Sequence, residues 1–217
     1  MQWTRRAVLA SLASGLALGA SGCVLGNLFA WAAAPRHPKK KIVAEYPLEA
    51  DSLVIVPYAG TDILFNDPTV SLELSRDILG MLVMALGPKI KKIVHPVQVI
   101  RWQESNVDWY NMSLVDIAKT FNADTLLYVE LERYTMVEER SGNLLRGHIR
   151  AHIQLVKMAA ERNPVYETNV ETLCPEDRPV GTLDISERQL RVVTNRMFAR
   201  DVVRKFQDYE IEDKGGN

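Results

Sequence analysis

The chain of 217 residues is 47% hydrophobic, 7% aromatic and 24% charged, which is typical of one globular domain or two small ones. Lysine plus arginine (26) nearly balance aspartate plus glutamate (27), so the whole molecule has no electrostatic field that would attract nucleic acid. Two cysteines are too few for a disulfide framework, and they exclude a cysteine-ligated zinc or iron–sulfur site within one chain.

Residues 1–22 have the features of an export signal. They contain no acidic residue, and Arg5 and Arg6 precede an uncharged stretch that is rich in Ala, Leu, Gly and Ser. The arginine pair resembles the twin-arginine export pattern, but such pairs also occur in ordinary export signals. Both export routes therefore stay open.

The signal ends in the run Ala20-Ser21-Gly22-Cys23, which resembles the lipobox of bacterial lipoproteins. We predict that Cys23 becomes the new amino terminus and carries acyl chains such as palmitate. One cysteine with several acyl chains is enough for stable membrane anchoring. Val24 stands where an aspartate signals retention in the inner membrane, which favours the outer membrane.

An alternative for the same region is an uncleaved membrane-spanning helix. Residues 7–34 carry no charge, and a spanning helix needs only ~20 apolar residues. The positive-inside rule, however, would then leave the body of the protein in the cytoplasm. This follows because the basic residues after the stretch outnumber Arg5 and Arg6; they are Arg36, Lys39, Lys40 and Lys41.

The mature chain is predicted to have three parts. Residues 23–50 contain the lipidated cysteine and a tether without helical or strand periodicity, residues 51–209 form an α/β domain, and residues 210–217 are a flexible tail.

The first half of the domain starts with an apolar run at 52–58, typical of a strand that is covered on both faces, so we expect helices on both sides of the sheet. Asp67-Pro68 is predicted to cap a helix that ends at Gly87-Pro88. A second apolar run, 93–102, predicts another strand, in which Pro96 indicates a bulge or an edge.

The second half starts with a capping box at Ser113 and Asp116, which predicts a helix to Phe121. Runs at 125–137 and 146–158 predict a hairpin around Ser141-Gly142-Asn143. The alternation puts Val129 and Leu131 on one face with Ala151, Ile153 and Leu155; the proposed register puts Glu132 opposite His152 and Tyr134 opposite Arg150.

A third antiparallel strand is predicted over 165–172, and Asp184 with Glu187 is predicted to cap a last helix that ends near Gln207. The element order is then β-α-β-α-β-β-β-α. This order predicts the α/β class, with a mixed central sheet flanked by helices.

Motifs that carry chemistry are absent from the sequence. There is no phosphate-binding loop, nucleophile elbow, zinc-protease helix or dinucleotide fingerprint, so no catalytic residue and no cofactor are predicted. His148 and His152 have zinc-ligand spacing for a helix, but on a strand they would lie ~13 Å apart, which argues against a shared metal ion. Cys174 is interpreted as a bystander.

Two patterns are candidate contact surfaces. Trp102, Trp109 and Tyr110 surround a polar loop and indicate either a partner-binding patch or buried anchors for that loop. A basic stripe lies on the last helix and would meet lipid head groups, an anionic cell-wall polymer or an acidic partner, or else be a solvated face; its residues are Arg196, Arg200 and Arg204.

Three segments carry a resemblance to a family. They are the strand, proline and aromatic residue at 52–58, the V-x-P-x-x-V element within 93–100, and the A-x-x-x-G-A-D-x-V-V-x-G segment within 116–130, where Asn122 replaces the usual glycine. Together with the hairpin they resemble a group of bacterial envelope lipoproteins. The group includes the curli-secretion lipoprotein, the amino-terminal domain of the Tol translocation protein and the lipoprotein that activates a penicillin-binding protein.

The resemblance implies a periplasm-facing α/β domain that binds other envelope proteins and has no enzymatic activity. We therefore expect a lipid-anchored protein of the cell envelope whose partner is a protein of unknown identity, with homo-oligomerisation left open. Two alternatives are retained. One is a hydrolase of envelope polymers that uses Glu132 and His152 as an acid/base pair, and the other is an oligomeric secretion component.

Overall fold

The structure is a computed structural model and describes residues 39–138, 141, 144–176 and 185–212. The predicted signal, Cys23, the alternative helix over 7–34 and Asp184 lie outside these residues. One compact unit covers residues 41–209, ten residues earlier than the predicted start of the domain at 51. The described part of a second unit is residues 39–40 and 210–212, in which Lys39 Nζ lies 2.9 Å from Glu210 Oε2. Among the described helices, none is long and apolar enough to cross a membrane.

Helices and strands alternate along the first half of the described chain, and a strand meander follows. In chain order the elements are β1 (Lys39–Ile42), β2 (Ala50–Ala59), α1 (Thr61–Asn66), α2 (Val70–Leu86), β3 (Ile90–Ile93), α3 (Pro96–Ser105), α4 (Leu114–Thr120), β4 (Thr125–Val137), β5 (Leu145–Lys157), β6 (Tyr166–Cys174), α5 (Glu187–Arg204) and β7 (Tyr209–Glu212). Short 3-10 turns cover Gly87–Lys89 and Trp109–Asn111.

The central sheet has five strands in the order β3-β2-β4-β5-β6. β2 runs parallel to both β3 and β4, whereas β4, β5 and β6 form an antiparallel meander. A separate two-stranded sheet pairs β1 with β7. The predicted α/β class with a mixed central sheet flanked by helices is confirmed.

The two faces of the sheet are covered to different extents. On the first face, α2 and α5 bury a large apolar core against β2, β4, β5 and β6, with Phe198 among the fully buried side chains. On the second face, α3 and α4 cover a smaller cluster that contains Val54 and Val56 of β2, Leu126 of β4 and Val156 of β5. Helices therefore lie on both sides, as the apolar run of β2 predicts, but the second layer is the smaller one.

Asp124 joins the start of β4 to the start of β2. Its carboxylate accepts hydrogen bonds from the backbone N–H of Asp51 at 3.2 Å and of Ser52 at 2.7 Å. Partial burial acts to raise the pKa of Asp124, but these hydrogen bonds outweigh it and hold the pKa below its ordinary value. Asn122, two residues before it, has φ 50°, a left-handed conformation that glycine and asparagine adopt more readily than other residues.

The predicted second strand over 93–102 is wrong. The strand β3 ends at Ile93, and the helix α3 begins at Pro96. His95 caps this helix because its ring Nδ1 accepts from the Val97 N–H at 3.3 Å, and proline suits the first helical position. Pro96 therefore marks a helix start and no bulge.

The predicted caps of two helices also differ from the structure. Thr69, and not Asp67, is the N-cap residue of α2, and Asp67 instead ends α1 and forms an ion pair with Arg191. The last helix starts with a capping box between Ser186 and Gln189, so its cap lies two residues after the predicted Asp184.

The predicted hairpin is present, but its register is wrong. His152 lies opposite Glu130, and a register shift between Leu131 and Arg133 leaves Glu132 as an extra residue in β4. The shift turns Tyr134 to the core face, where it lies opposite Ile149 and its hydroxyl donates to Asn195 Oδ1 at 3.1 Å. The prediction that Val129 and Leu131 share a face with Ala151, Ile153 and Leu155 is confirmed, and in the observed register Val129 lies opposite Ile153.

Gly147 provides a test of the packing between β5 and α5. A Cβ at this position would overlap the side chain of Thr194 in the buried face of α5, whereas a Cβ at Gly80 in α2 would meet no atom within 4 Å. Gly147→Ala is expected to lower the free energy of unfolding by about 1 to 3 kcal/mol, because the core would be overpacked. Gly80→Ala is the matched control and is expected to raise it by up to about 1 kcal/mol through helix propensity. Urea unfolding midpoints of the two variants measure this, and equal midpoints would contradict the packing described.

Candidate functional site

A groove opens at the carboxyl end of β2, where the strand passes through Gly60 into α1. It has a volume of about 500 Å³, and its lining includes Pro57, Tyr58, Leu64, Ile100, Trp109 and Tyr110. The carboxyl ends of strands in α/β sheets are the usual place for ligands. This groove combines that position with a mainly apolar wall.

The wall is held by α3, which is fixed to the end of β2. Gln103 Nε2 of this helix donates to the Pro57 carbonyl oxygen at 2.8 Å, a partly buried hydrogen bond between helix and strand. This hydrogen bond holds α3 close to the end of the strand. Both residues line the groove, so the contact helps to fix the position of its wall.

Aromatic stacking places the 3-10 turn that carries Trp109 and Tyr110. Trp102 packs edge-on against Phe121 with ring centroids 5.2 Å apart, and Trp109 packs edge-on against Tyr58 at 5.9 Å. Both tryptophans are half-buried and pack on the second-face core. Tyr110 is 58% exposed at the mouth of the groove. The segment thus contains two anchors and one exposed aromatic ring.

Other apolar side chains near the groove are also open to solvent. Leu64 of α1 lines the groove and is 36% exposed, and its neighbour Phe65 is 87% exposed. Val107, in the loop before the turn, is 75% exposed. Exposed large apolar side chains at a groove are typical of protein contact surfaces.

One carboxylate lines the groove. Glu104 is the one charged residue among the described residues that line it, and Asp62, Asp108 and Arg101 lie next to lining residues in the chain. Deeper in the second layer, burial raises the pKa of Tyr128, and the nearby charge of Glu130 adds to this, so the phenol stays neutral. The groove therefore offers mainly apolar side chains and one carboxylate.

The three arginines of the basic stripe on α5 have different surroundings in the structure. Arg200 binds Glu176 Oε1 at 2.8 Å and Asp201 Oδ1 at 2.9 Å. Arg204 lies 3.5 Å from Asp201 and stacks over the Tyr209 ring at 4.6 Å. Arg196 is exposed and lies in a different groove, between α2 and α5. Two of the three arginines are thus engaged in contacts within the fold.

The acid/base alternative involves groups that have other partners. Glu132 accepts from Arg150 Nε at 2.6 Å, and the His152 ring lies 3.0 Å from Asn169 Oδ1. The predicted placement of Glu132 opposite His152 is wrong because of the bulge in β4. His148 contacts Glu171 Oε1 at 2.7 Å. Within the described residues no group of three or more His, Cys, Asp or Glu side chains could hold a metal ion.

Sequence reasoning found part of the groove and missed the rest. It identified Trp102, Trp109 and Tyr110, which line the groove or support its wall. It missed Leu64 of the lining and its exposed neighbour Phe65, although the run of three large apolar residues Ile63, Leu64 and Phe65 is a signal in the sequence. Cys174 is a buried free thiol, and Arg5, Arg6 and Cys23 lie outside the described residues.

Comparison with known proteins gives structural similarity alone. No protein-family model and no curated protein sequence matches the chain. Among solved structures, the PelC dodecamer from Paraburkholderia phytofirmans aligns over 78% of this chain and 98% of that chain, with 10% identity and a TM-score of 0.45. Lipoprotein GNA1162 from Neisseria meningitidis aligns over 70% and 98%, with 12% identity and a TM-score of 0.45. Similarity at this level transfers no function or assembly to this chain, and the resemblance to the curli, Tol and penicillin-binding-protein lipoproteins stays a prediction.

The two roles found in the aromatic segment predict different mutational effects. Trp102→Ala removes a ring packed on the second-face core and is expected to lower the free energy of unfolding by about 3 kcal/mol. Tyr110→Ala removes an exposed ring and is expected to change it by less than about 0.5 kcal/mol. Denaturant unfolding of both variants measures the difference. A large loss of stability in Tyr110→Ala would mean that this ring is an anchor as well.

Proposed function

We propose that this protein is a lipid-anchored, periplasm-facing protein of the cell envelope that binds a protein partner in envelope assembly or secretion. Cys23 would carry the lipid, and the protein would act by binding and not by catalysis. The observation that carries the proposal is the open apolar groove at the carboxyl end of β2, whose lining includes the partly exposed side chains of Leu64 and Tyr110.

The sequence before the domain supports the location. An export signal followed by a lipobox-like run delivers the chain outside the cytosol and attaches it to a bilayer. A tether after Cys23 separates the folded unit from that bilayer, and Val24 favours the outer membrane. The export route is either the twin-arginine or the general one.

The chemistry of the groove supports a protein as its occupant. The aromatic and aliphatic side chains of its wall can receive an apolar side chain of a partner. A few such buried anchor residues supply most of the affinity of a protein interface. Glu104 at the edge favours a partner segment that has a basic residue beside its apolar anchor. The same carboxylate disfavours insertion of this surface into an anionic lipid surface.

Metabolic labelling with a palmitate analogue tests the anchor. The wild-type chain is expected to take up the label and to fractionate with membranes, whereas Cys23→Ala loses both properties. Cys174→Ala is the matched control and keeps both, because that thiol is buried in the fold. Label on the Cys23→Ala chain, or none on the wild type, would contradict the anchor.

Site-specific photo-crosslinking in intact cells tests the groove. A photoreactive residue at position 110 is expected to yield a distinct protein adduct that is identified by mass spectrometry. A photoreactive residue at Met84, which is 83% exposed on α2, is the control and does not give that adduct. Leu64→Glu, which puts a charge on the groove wall, is expected to remove the adduct. An adduct that persists in Leu64→Glu, or that also forms from position 84, would refute the groove as the binding site.

A further inference from the structure

β6 is an edge strand of the central sheet that lacks the usual protection. It has nine residues, and it pairs with β5 over its whole length without a register shift. It contains no proline, no bulge and no lysine, which are the features that commonly keep edge strands from pairing with other chains. The opposite edge, β3, is four residues long and carries Lys91 and Lys92.

Within the part of the chain that the structure describes, β6 has a strand partner on one side alone, which is β5. Among the described residues, the backbone hydrogen bonds of residues 166–174 all belong to the ladder with β5. Side chains reach only parts of the strand: Tyr166 packs against Tyr46 and donates to Glu45, and Thr172 donates to Asp201. Among the described residues, β5 alone forms backbone hydrogen bonds with the strand between these two residues.

A groove runs beside the middle of this edge. It has a volume of about 370 Å³ and is lined by Asn169, Val170 and Glu171 of β6 and, on the other side, by Ile42, Val43 and Tyr209. Two cations also line it, and each is paired with a carboxylate of the same lining: Arg204 with Asp201, and Lys205 with Glu45. Val43 is 68% exposed. An extended segment lying in this groove would find backbone partners on one side and an apolar side chain on the other.

Two exposed carboxylates on β6 favour a basic segment as the added strand. On the second face of the sheet β6 presents the side chains of Glu167 and Glu171, which are 62% and 52% exposed. The groups that face them from β5 are His148, Arg150 and His152, and Arg150 is held by Glu132. A strand added beside β6 therefore gains most if it places lysine or arginine next to these carboxylates.

The same carboxylates argue against a second copy of this chain. Antiparallel pairing of two β6 strands, in any register that keeps their polar faces together, would bring four glutamates to one seam. Like charges across a strand pair are destabilising. We propose that the outer edge of β6 receives an extended, basic segment of a partner protein as an added strand.

Hydrogen exchange on the full chain tests this second surface independently of the groove at β2. The probe is an acetylated, amidated heptapeptide of alternating lysine and valine, with a glutamate–valine heptapeptide as its counterpart. The lysine peptide is expected to slow exchange of β6 amides by about tenfold at saturation, with less effect at high salt. Equal protection by both peptides, or protection by neither, would overturn the proposal.

Two further arms separate strand pairing from simple charge attraction. A lysine–valine peptide with N-methyl groups on alternate residues keeps its charge but loses backbone N–H donors, and it is expected to give no protection. Protection equal to that of the parent peptide would overturn strand pairing.

The double variant Glu167→Lys/Glu171→Lys is expected to prefer the glutamate peptide. The double variant Glu49→Lys/Glu161→Lys makes the same charge change at two exposed positions outside both grooves and is expected to keep the wild-type preference. A wild-type preference in both double variants would overturn the assignment to β6.

Discussion

The uneven coverage of the central sheet is the constraint from which the rest of the molecule follows. The helices α2 and α5 bury one face from β2 to β6, and their apolar side chains make up most of the core. The helices α3 and α4 are short and cover the other face mainly at β2 and the start of β4. The strands beyond them carry charged and polar side chains on that face, since no helix of the described residues buries them.

Both surfaces proposed for binding arise from this arrangement. Where α3 ends over the carboxyl end of β2, the second layer stops and its aromatic residues border an open groove. At the far side, β6 has a buried face toward α5, and among the described residues only β5 forms backbone hydrogen bonds with it. The Asp124 carboxylate, which binds the start of β2, and the Gln103 amide, which binds its end, hold the covered part of the sheet in place. These contacts order the surfaces before a partner arrives, and a preorganised surface loses less conformational entropy on binding.

The fold was predictable from the sequence to a large extent, because apolar runs of different period mark β2, α2 and the β4–β6 meander. The helix α3 was missed because its β-branched residues read as a strand and its cap is a histidine, which is not among the usual capping residues. The bulge at Glu132 was detectable: the apolar alternation through Val129 and Leu131 resumes at Tyr134, one residue out of phase. The groove could be predicted only in part, since Leu64 and Tyr110 are distant in sequence and meet through the path of the chain around β2.

Hydrogen exchange in the native setting tests most directly whether the groove at the carboxyl end of β2 and the outer edge of β6 meet partners in the cell envelope. Exchange is measured on the full-length protein in isolated bacterial envelopes and on the same protein after purification. The account predicts slower exchange in envelopes at the turn that carries Tyr110 and along β6, with no change on the exposed side of α2 near Met84. Identical exchange in both settings, or protection centred on α2, would contradict it.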